Sequence, residues 1–264
     1  MDLKLEGKRA LVTGSTAGIG FAIAQGLAQE GASVVINGRK KSRVEAAMEQ
    51  IRKQTPGAGL VGMAADVGQA SEIERLVQGL PEVDILVNNA GIFEPKPFGQ
   101  IPDADWFRFF EVNVMSGVRL SRAYLPAMIK KNWGRIVFIS SESALNIPAE
   151  MIHYGLTKTS QLALSRGLAE TTAGTGVTVN AVLPGPTRSE GVSGFVSDLA
   201  KAQKTNEDTV EVNFFKTMRP GSLLKRFATT DEVAAMVVYV CSSLASATNG
   251  AALRVDGGIV RSIA

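Results

Sequence analysis

"RALVTGSTAGIGFAIAQGLAQEG", residues 9–31, decides the fold. Ala10, Leu11 and Val12 form a short apolar run, glycines follow at Gly14, Gly18 and Gly20, and apolar residues then return at helical spacing. Strand, glycine turn and helix in that order bring backbone NH groups to a helix N-terminus, where a diphosphate is electrostatically favoured. The spacing is not GxGxxG, and glycines alone make only a tight turn. Their place between a strand and a helix carries the dinucleotide reading.

Outward from that stretch the alternation repeats. "SVVING", "GLVGMAADV", "DILVNNAG", "RIVFISS", "VTVNAVLPG" and "AALRVDGG" read as further strands, and "SRVEAAMEQIRKQ", "SEIERLVQGL" and "DEVAAMVVYVCSSL" as helices between them. Continuous apolar strands separated by helices require a parallel sheet covered on both faces. The expected fold is a single α/β domain over residues 1–264, a Rossmann-like, doubly wound sheet of seven parallel strands. One long piece, residues 186–228, reads as irregular, mixing Gly, Ser and charges with Phe214, Phe215 and Met218. At that length it is expected to be a substrate lid.

Composition narrows the function classes. The 264 residues are 45% hydrophobic and 20% charged, ordinary globular material. Cys241 is the single cysteine, so no intrachain disulfide can form, and core packing in a reducing compartment is its expected role. The charged N-terminus does not match a secretory signal and no apolar stretch is long enough to span a bilayer, which places the expectation in the cytoplasm with no membrane partner. The net charge of +3 is spread along the chain. That argues against nucleic acid and is met by an anionic cofactor.

"HYGLTKTSQLALSRGLAE", residues 153–170, sets Tyr154 and Lys158 one helical turn apart. A phenol can protonate the alkoxide that forms when a ketone accepts hydride. Lowering its pKa from about 10 to about 7 takes roughly 4 kcal/mol, which an ammonium at about 4 Å supplies only at an effective dielectric near 20. The expectation is that Lys158 makes Tyr154 acidic in a partly dried cleft. His153, the single histidine, is expected on the pocket rim, and no His or Cys cluster suggests a metal. Glu142, Ser143, Asn146 and Glu150 either make the pocket polar or are solvated. Trp106, Phe107, Phe109 and Phe110 read as helix packing or subunit contact.

From Thr13 to Gly20 the chain resembles the short-chain dehydrogenase/reductase family, whose glycine motif is TGxxxGxG. The resemblance continues in order along nearly the whole chain. "NNAG" stands at Asn88 to Gly91, Asn113 lies in "FEVNVMSG", Ser141 stands thirteen residues before Tyr154, "YGLTK" is the YxxxK signature, and Pro184–Gly185 and "VDGG" follow the last two strands. The resemblance implies an NAD(P)-dependent oxidoreductase acting on a ketone and secondary alcohol pair. Tyr154 would be acid/base, Lys158 its tuner and a ribose ligand, Ser141 the carbonyl's orienter, and Asn113 the holder of a relay water. A homotetramer or homodimer is implied as well.

The cofactor contacts assigned in this frame are Gly14, Ser15, Thr16, Gly18, Ile19, Gly20, Arg39, Asp66, Val67, Asn89, Ala90, Gly91, Tyr154, Lys158, Pro184, Gly185, Thr187 and Ser189. The family's PGxxxT threonine is replaced by Ser189, with Thr187 two residues earlier, and either hydroxyl could meet the carboxamide. An NAD site usually ends strand two with an acidic residue. Here Asn37 and Gly38 end it and Arg39 follows, so the expected preference is NADP(H), with NAD(H) possible. The alternatives are a 3-oxoacyl-(acyl-carrier-protein) reductase-like enzyme, an NAD(H)-dependent alcohol dehydrogenase, and a non-catalytic NADP(H)-binding sensor.

Overall fold

The computed structural model describes residues 2–202 and 204–263. In chain order its main elements are β1 (Arg9–Val12), α1 (Gly18–Gln29), β2 (Ser33–Gly38), α2 (Lys41–Gln54), β3 (Leu60–Ala64), α3 (Ala70–Gly79), β4 (Ile85–Asn88), α4 (Asp103–Phe110), α5 (Ser116–Lys131), β5 (Gly134–Ile139), α6 (Ile152–Thr171), β6 (Val177–Pro184), α7 (Glu190–Ala202), α8 (Glu207–Thr217), α9 (Thr230–Cys241) and β7 (Ala252–Val255). The strands form one parallel sheet in the order β3-β2-β1-β4-β5-β6-β7. This is the seven-stranded Rossmann-like sheet expected from the sequence.

Side-chain alternation along each strand divides the interior into two layers. Ala10, Val12, Ile36, Val87 and Val137 pack under α1, α2 and α9 with Ile23, Val44, Ile51 and Val237. Leu11, Val35, Leu86, Ile136 and Phe138 pack on the other face with Leu76, Leu120, Tyr124 and Met128. Both faces being covered is why the central strands read as unbroken apolar runs. Cys241 lies buried in the first layer. The chain reverses direction between β1 and β4, so the crevice at their carboxyl ends is where an open α/β sheet takes its ligand.

Residues 186–228 are not irregular. They hold α7 and α8, packed on a small core of Val196, Ala200, Val210, Phe215 and Phe227. Phe214 stacks on Phe227 at 5.2 Å, whereas Met218, grouped with the phenylalanines in the sequence, is half exposed. The Gly and Ser content of "EGVSGFVSDLAKA" hides the α7 periodicity, which shows only once Phe227 supplies the other side of the core.

Candidate active site

The glycine turn opens α1. Gly18 takes φ +57°, the left-handed region that favours glycine, and a Cβ at Gly20 would lie 2.4 Å from both the Asn89 amide nitrogen and the Gly14 carbonyl. Ala17 provides no side-chain cap, so the first-turn amides of Gly18, Ile19 and Gly20 remain for an anion. Asn89 donates to the carbonyls of Thr13 and Gly14 at 2.9 and 3.2 Å, and the Thr13 hydroxyl accepts from the amides of Asn89 and Ala90 at 2.9 and 3.0 Å. The ends of β1 and β4 are thereby held at one spacing. Such a cradle fits a dinucleotide diphosphate.

Two assigned contacts turn out to be braces. Ser15 is fully buried, with its amide on the Asn37 carbonyl at 2.9 Å and its hydroxyl donating to Val12 O at 2.7 Å while accepting from the Asn37 amide at 3.0 Å. Neither group is left for a ligand. Val67 is likewise a core residue under α3, while Asp66 stays partly exposed, with one carboxylate oxygen accepting from the Gly68 amide at 3.0 Å.

At the adenosine end, Asn37 is spent inside the protein, donating to Met63 O and Ala65 O at 3.1 Å. A Cβ at Gly38 would lie 2.5 Å from the Thr16 methyl. Arg39 is exposed and, among the described residues, has no ion pair. Arg43, by contrast, pairs with Glu190 at the start of α7 at 2.7 Å.

Thr187 and Ser189 separate cleanly. The Thr187 hydroxyl donates back to Gly185 O at 2.9 Å, whereas Ser189 overhangs the glycine turn, 3.3 Å from where a Gly18 Cβ would be. Gly185 follows Pro184 at the end of β6, its amide on Val255 O at 3.0 Å.

Ser141, at the end of β5, caps a short turn by accepting from the Ser143 amide at 3.1 Å, and its hydroxyl also hydrogen-bonds Tyr154 at the start of α6. Lys158 is buried, donating to Ile139 O at 2.8 Å and to Gln161 Oε1 at 3.3 Å. Its ammonium stands 5.6 Å from the centroid of the Tyr154 ring, and a Cβ at Gly91 would come within 3.5 Å of it. Asn113 lies in a π-helical turn, Glu111–Met115, between α4 and α5; such turns recur at functional sites. Its side chain accepts from the Ile92 amide at 2.8 Å and donates to Ile92 O and Thr157 Oγ1 at 3.0 Å. Asn113, Ser141, Tyr154 and Lys158 thus surround one cleft beside Gly91.

The tuning expected of Lys158 is absent from this arrangement. Burial pushes the Tyr154 phenol up to about 12, against the lowering effect of Ser141, and pulls Lys158 down to about 7. Drying the cleft strengthens the attraction between the two charges but also penalises each charge by itself, and here the penalty dominates. The sequence argument counted only the attraction.

Gln161 was not singled out in the sequence. Its amide donates to Asn113 O at 2.5 Å while its oxygen accepts from Lys158, so a side chain links the asparagine to the lysine directly, where a water was expected. The signal was available: Gln161 lies three residues after Lys158, on the same helix face. His153 is also not on the rim. It is fully buried, 4.1 Å from the Phe109 ring and 5.8 Å from Trp106, with neither ring nitrogen hydrogen-bonded. Phe109 is therefore packing, and Phe107 is three-quarters exposed.

Burial holds His153 below its ordinary pKa of 6.5, outweighing the carboxylates of Asp105 and Glu94. An imidazole kept neutral in the fold but free to charge in the unfolded chain contributes stability above the unfolded pKa that is lost as pH falls. Chemical denaturation from pH 7.5 to 5 should show wild type losing stability below about pH 6.5, and His153→Phe losing less. Equal slopes for the two proteins would place the acid-labile group elsewhere.

Glu142 and Glu150 do not face solvent freely. Both meet Arg219, just past α8, while Asn146 is exposed. A cavity of about 670 Å³ lies among the end of the lid, the turn after Ser141 and the C-terminal tail, lined by Leu145, Asn146, Met218, Arg219, Ile259 and Arg261. Among the described residues no group of His, Cys, Asp or Glu could hold a metal, and no helix is long and apolar enough to cross a membrane.

The sequence profile of the short chain dehydrogenase family matches residues 8–200. An uncharacterised oxidoreductase of Bacillus subtilis, YvaG, is 51% identical over 263 residues, covering all of both chains. The 3-oxoacyl-[acyl-carrier-protein] reductase of Aquifex aeolicus is 34% identical, over 98% of this chain and all of its own. The crystal structure of L-sorbose reductase from Gluconobacter frateurii, complexed with NADPH and L-sorbose, superposes with a TM-score of 0.94 at 30% identity over the whole of both chains. With the glycine cradle, the Ser141–Tyr154 contact and these matches together, the chain belongs to the short-chain dehydrogenase family of NAD(P)-dependent oxidoreductases.

Proposed function

We propose that this protein interconverts a ketone and a secondary alcohol using NADP(H), with Tyr154 as the proton donor in reduction. The observation that carries the reading is the hydrogen bond between Ser141 and Tyr154 at the mouth of the diphosphate cradle. A carbonyl oxygen placed between the two hydroxyls would receive two hydrogen bonds that strengthen as negative charge develops on it. The bound cofactor, when reduced, supplies the hydride. Gly18, Ile19 and Gly20 hold its diphosphate, Ser189 reaches over the same turn, and Lys158 beside Gly91 meets the ribose. Gln161 and Asn113 fix the lysine's direction.

The preference for NADP(H) rests on Arg39. No carboxylate ends β2 to repel a 2′-phosphate, and the exposed guanidinium is uncommitted among the described residues. A charge-assisted hydrogen bond contributes about 1.5–3 kcal/mol, which corresponds to about ten- to a hundredfold in affinity. Arg39→Ala should therefore raise KM for NADPH about ten- to a hundredfold and leave KM for NADH nearly unchanged. A wild-type enzyme that is faster with NADH than with NADPH at equal low concentration defeats the assignment. The reaction itself is tested by nicotinamide absorbance with a carbonyl panel that includes L-sorbose and a 3-oxoacyl thioester. Activity on none of the panel, with NADPH bound, would favour the sensor.

A further inference from the structure

Arg219 is the one cation that the lid presses into the catalytic wall. It follows α8 by two residues, its amide donates to Phe214 O at 3.0 Å, and it is 9% exposed. The guanidinium donates from Nε to Glu142 Oε1 at 3.3 Å, and from Nη1 to Glu150 Oε1 at 3.2 Å and Met218 O at 2.9 Å. Glu142 is the residue after Ser141, and Glu150 stands four residues before Tyr154. A single lid side chain therefore joins the segment carrying the serine to the segment carrying the phenol.

Glu142 is an unusual neighbour for a proton donor. Its carboxylate is 3% exposed; Oε1 accepts from Ser143 Oγ at 3.2 Å as well as from Arg219, and Oε2 has no hydrogen-bond partner. Burial raises its pKa, Asp256 raises it further, and Arg219 lowers it. Ionised, Glu142 opposes ionisation of Tyr154. The other charged or titratable groups around the phenol are Lys158 and His153 on α6, Glu150 before it, and Arg219 from the lid; Asp256, after β7, acts on Glu142 while its own oxygens accept from the amides of Gly258 and Val260. A phenol that must give up a proton beside a buried anion needs that anion offset, and Arg219 is placed to offset it.

We propose that Glu142 and Arg219 are a tuning pair for Tyr154: the lid-borne guanidinium cancels the field of the Glu142 carboxylate at the phenol, so seating the lid and readying the acid are one event. This rests on the reading of Tyr154 as the proton donor. Both are positioning residues, acting through Tyr154 without a hydrogen bond to it. Arg219 carries the message because it is the part of the pair that moves with α8.

The test reads the phenol directly. Tyrosinate ultraviolet absorbance is followed from pH 8 to 12, each protein against its own Tyr154→Phe counterpart, so that Tyr124 and Tyr239 cancel. E142Q keeps the volume and an oxygen that can accept from Arg219 but removes the charge. Its Tyr154 absorbance should rise about one pH unit earlier than in wild type, the size expected of one charge a few ångströms to about 10 Å away at an effective dielectric near 20. Arg219→Gln should delay the rise, and E142Q combined with R219Q should behave as E142Q alone. Identical curves for wild type and E142Q overturn the proposal, and so does an Arg219→Gln delay that persists when residue 142 is Gln. E142Q is sufficient by itself should R219Q fail to fold. No turnover enters the measurement, so the pair can fail while Tyr154→Phe still identifies the acid, and the converse.

Discussion

Tyr154→Phe should lose turnover while binding NADPH within about twofold of wild type. The change removes one hydroxyl and little volume, so the packing at the start of α6, including the edge contact of Phe93 at 6.3 Å, is retained. General acid catalysis contributes about 10² to 10⁴ in rate, and the loss should fall in that range or beyond, because Ser141 also loses its partner. The raised phenol adds a directional signature. Held at about 12 in the free protein, Tyr154 is protonated throughout the neutral range, the state that ketone reduction requires. Alcohol oxidation requires the phenolate, so its rate should climb with pH while reduction does not. Initial rates by nicotinamide absorbance in both directions, with cofactor binding followed by fluorescence, check both statements. A Phe variant that keeps wild-type reduction would assign the proton to another group.

What the sequence disclosed was whatever local order determines. The strands were legible because each central one is buried on both faces and so reads as an apolar run, and the cradle because Gly18 and Gly20 meet constraints no other residue satisfies. The four residues of the quartet were found by spacing, and the structure brings them to one cleft. What escaped was set by distant partners. Ser15 looked like a cofactor contact until Asn37, from the next strand, claimed both its polar groups. His153 looked like a rim residue until Trp106 and Phe109 closed over it. Arg219 lies 77 residues from Glu142, and no periodicity links them. The sign of the Tyr154 and Lys158 shifts was hidden for a different reason: spacing gives the attraction between two charges, while burial, which sets the opposing cost, belongs to the folded state alone.

Lys158→Met should make the free protein more stable near neutral pH while disabling it. Folding takes the Lys158 ammonium from an ordinary 10.5 to about 7 by burial, with only a carbonyl and an amide oxygen as partners. Between those two values the unfolded chain binds more protons than the native state, so stability rises with pH across the window. The cost of burying the amine is at full size below about pH 7 and disappears near pH 10.5. At about 1.4 kcal/mol for each tenfold change in proton affinity, the full cost is on the order of 4 kcal/mol. Methionine fills similar space without a charge. It leaves Ile139 O and Gln161 Oε1 without a donor, which subtracts about 1–3 kcal/mol at every pH. The absolute gain is therefore smaller than the cost relieved, but the pH dependence is untouched by that subtraction. Urea unfolding at pH 7, 8.5 and 10 should show the Met variant's advantage over wild type shrinking as pH rises, by on the order of 3 kcal/mol across the range. The same variant should bind NADPH more weakly and turn over little, unlike Tyr154→Phe, because the amine is assigned to the ribose as well as to the phenol. A stability difference flat in pH would mean that Lys158 keeps an ordinary pKa in the fold. Destabilisation retained to serve the reaction would then have to be sought at the other buried ionisable group of the cleft, Glu142, whose pKa burial also displaces.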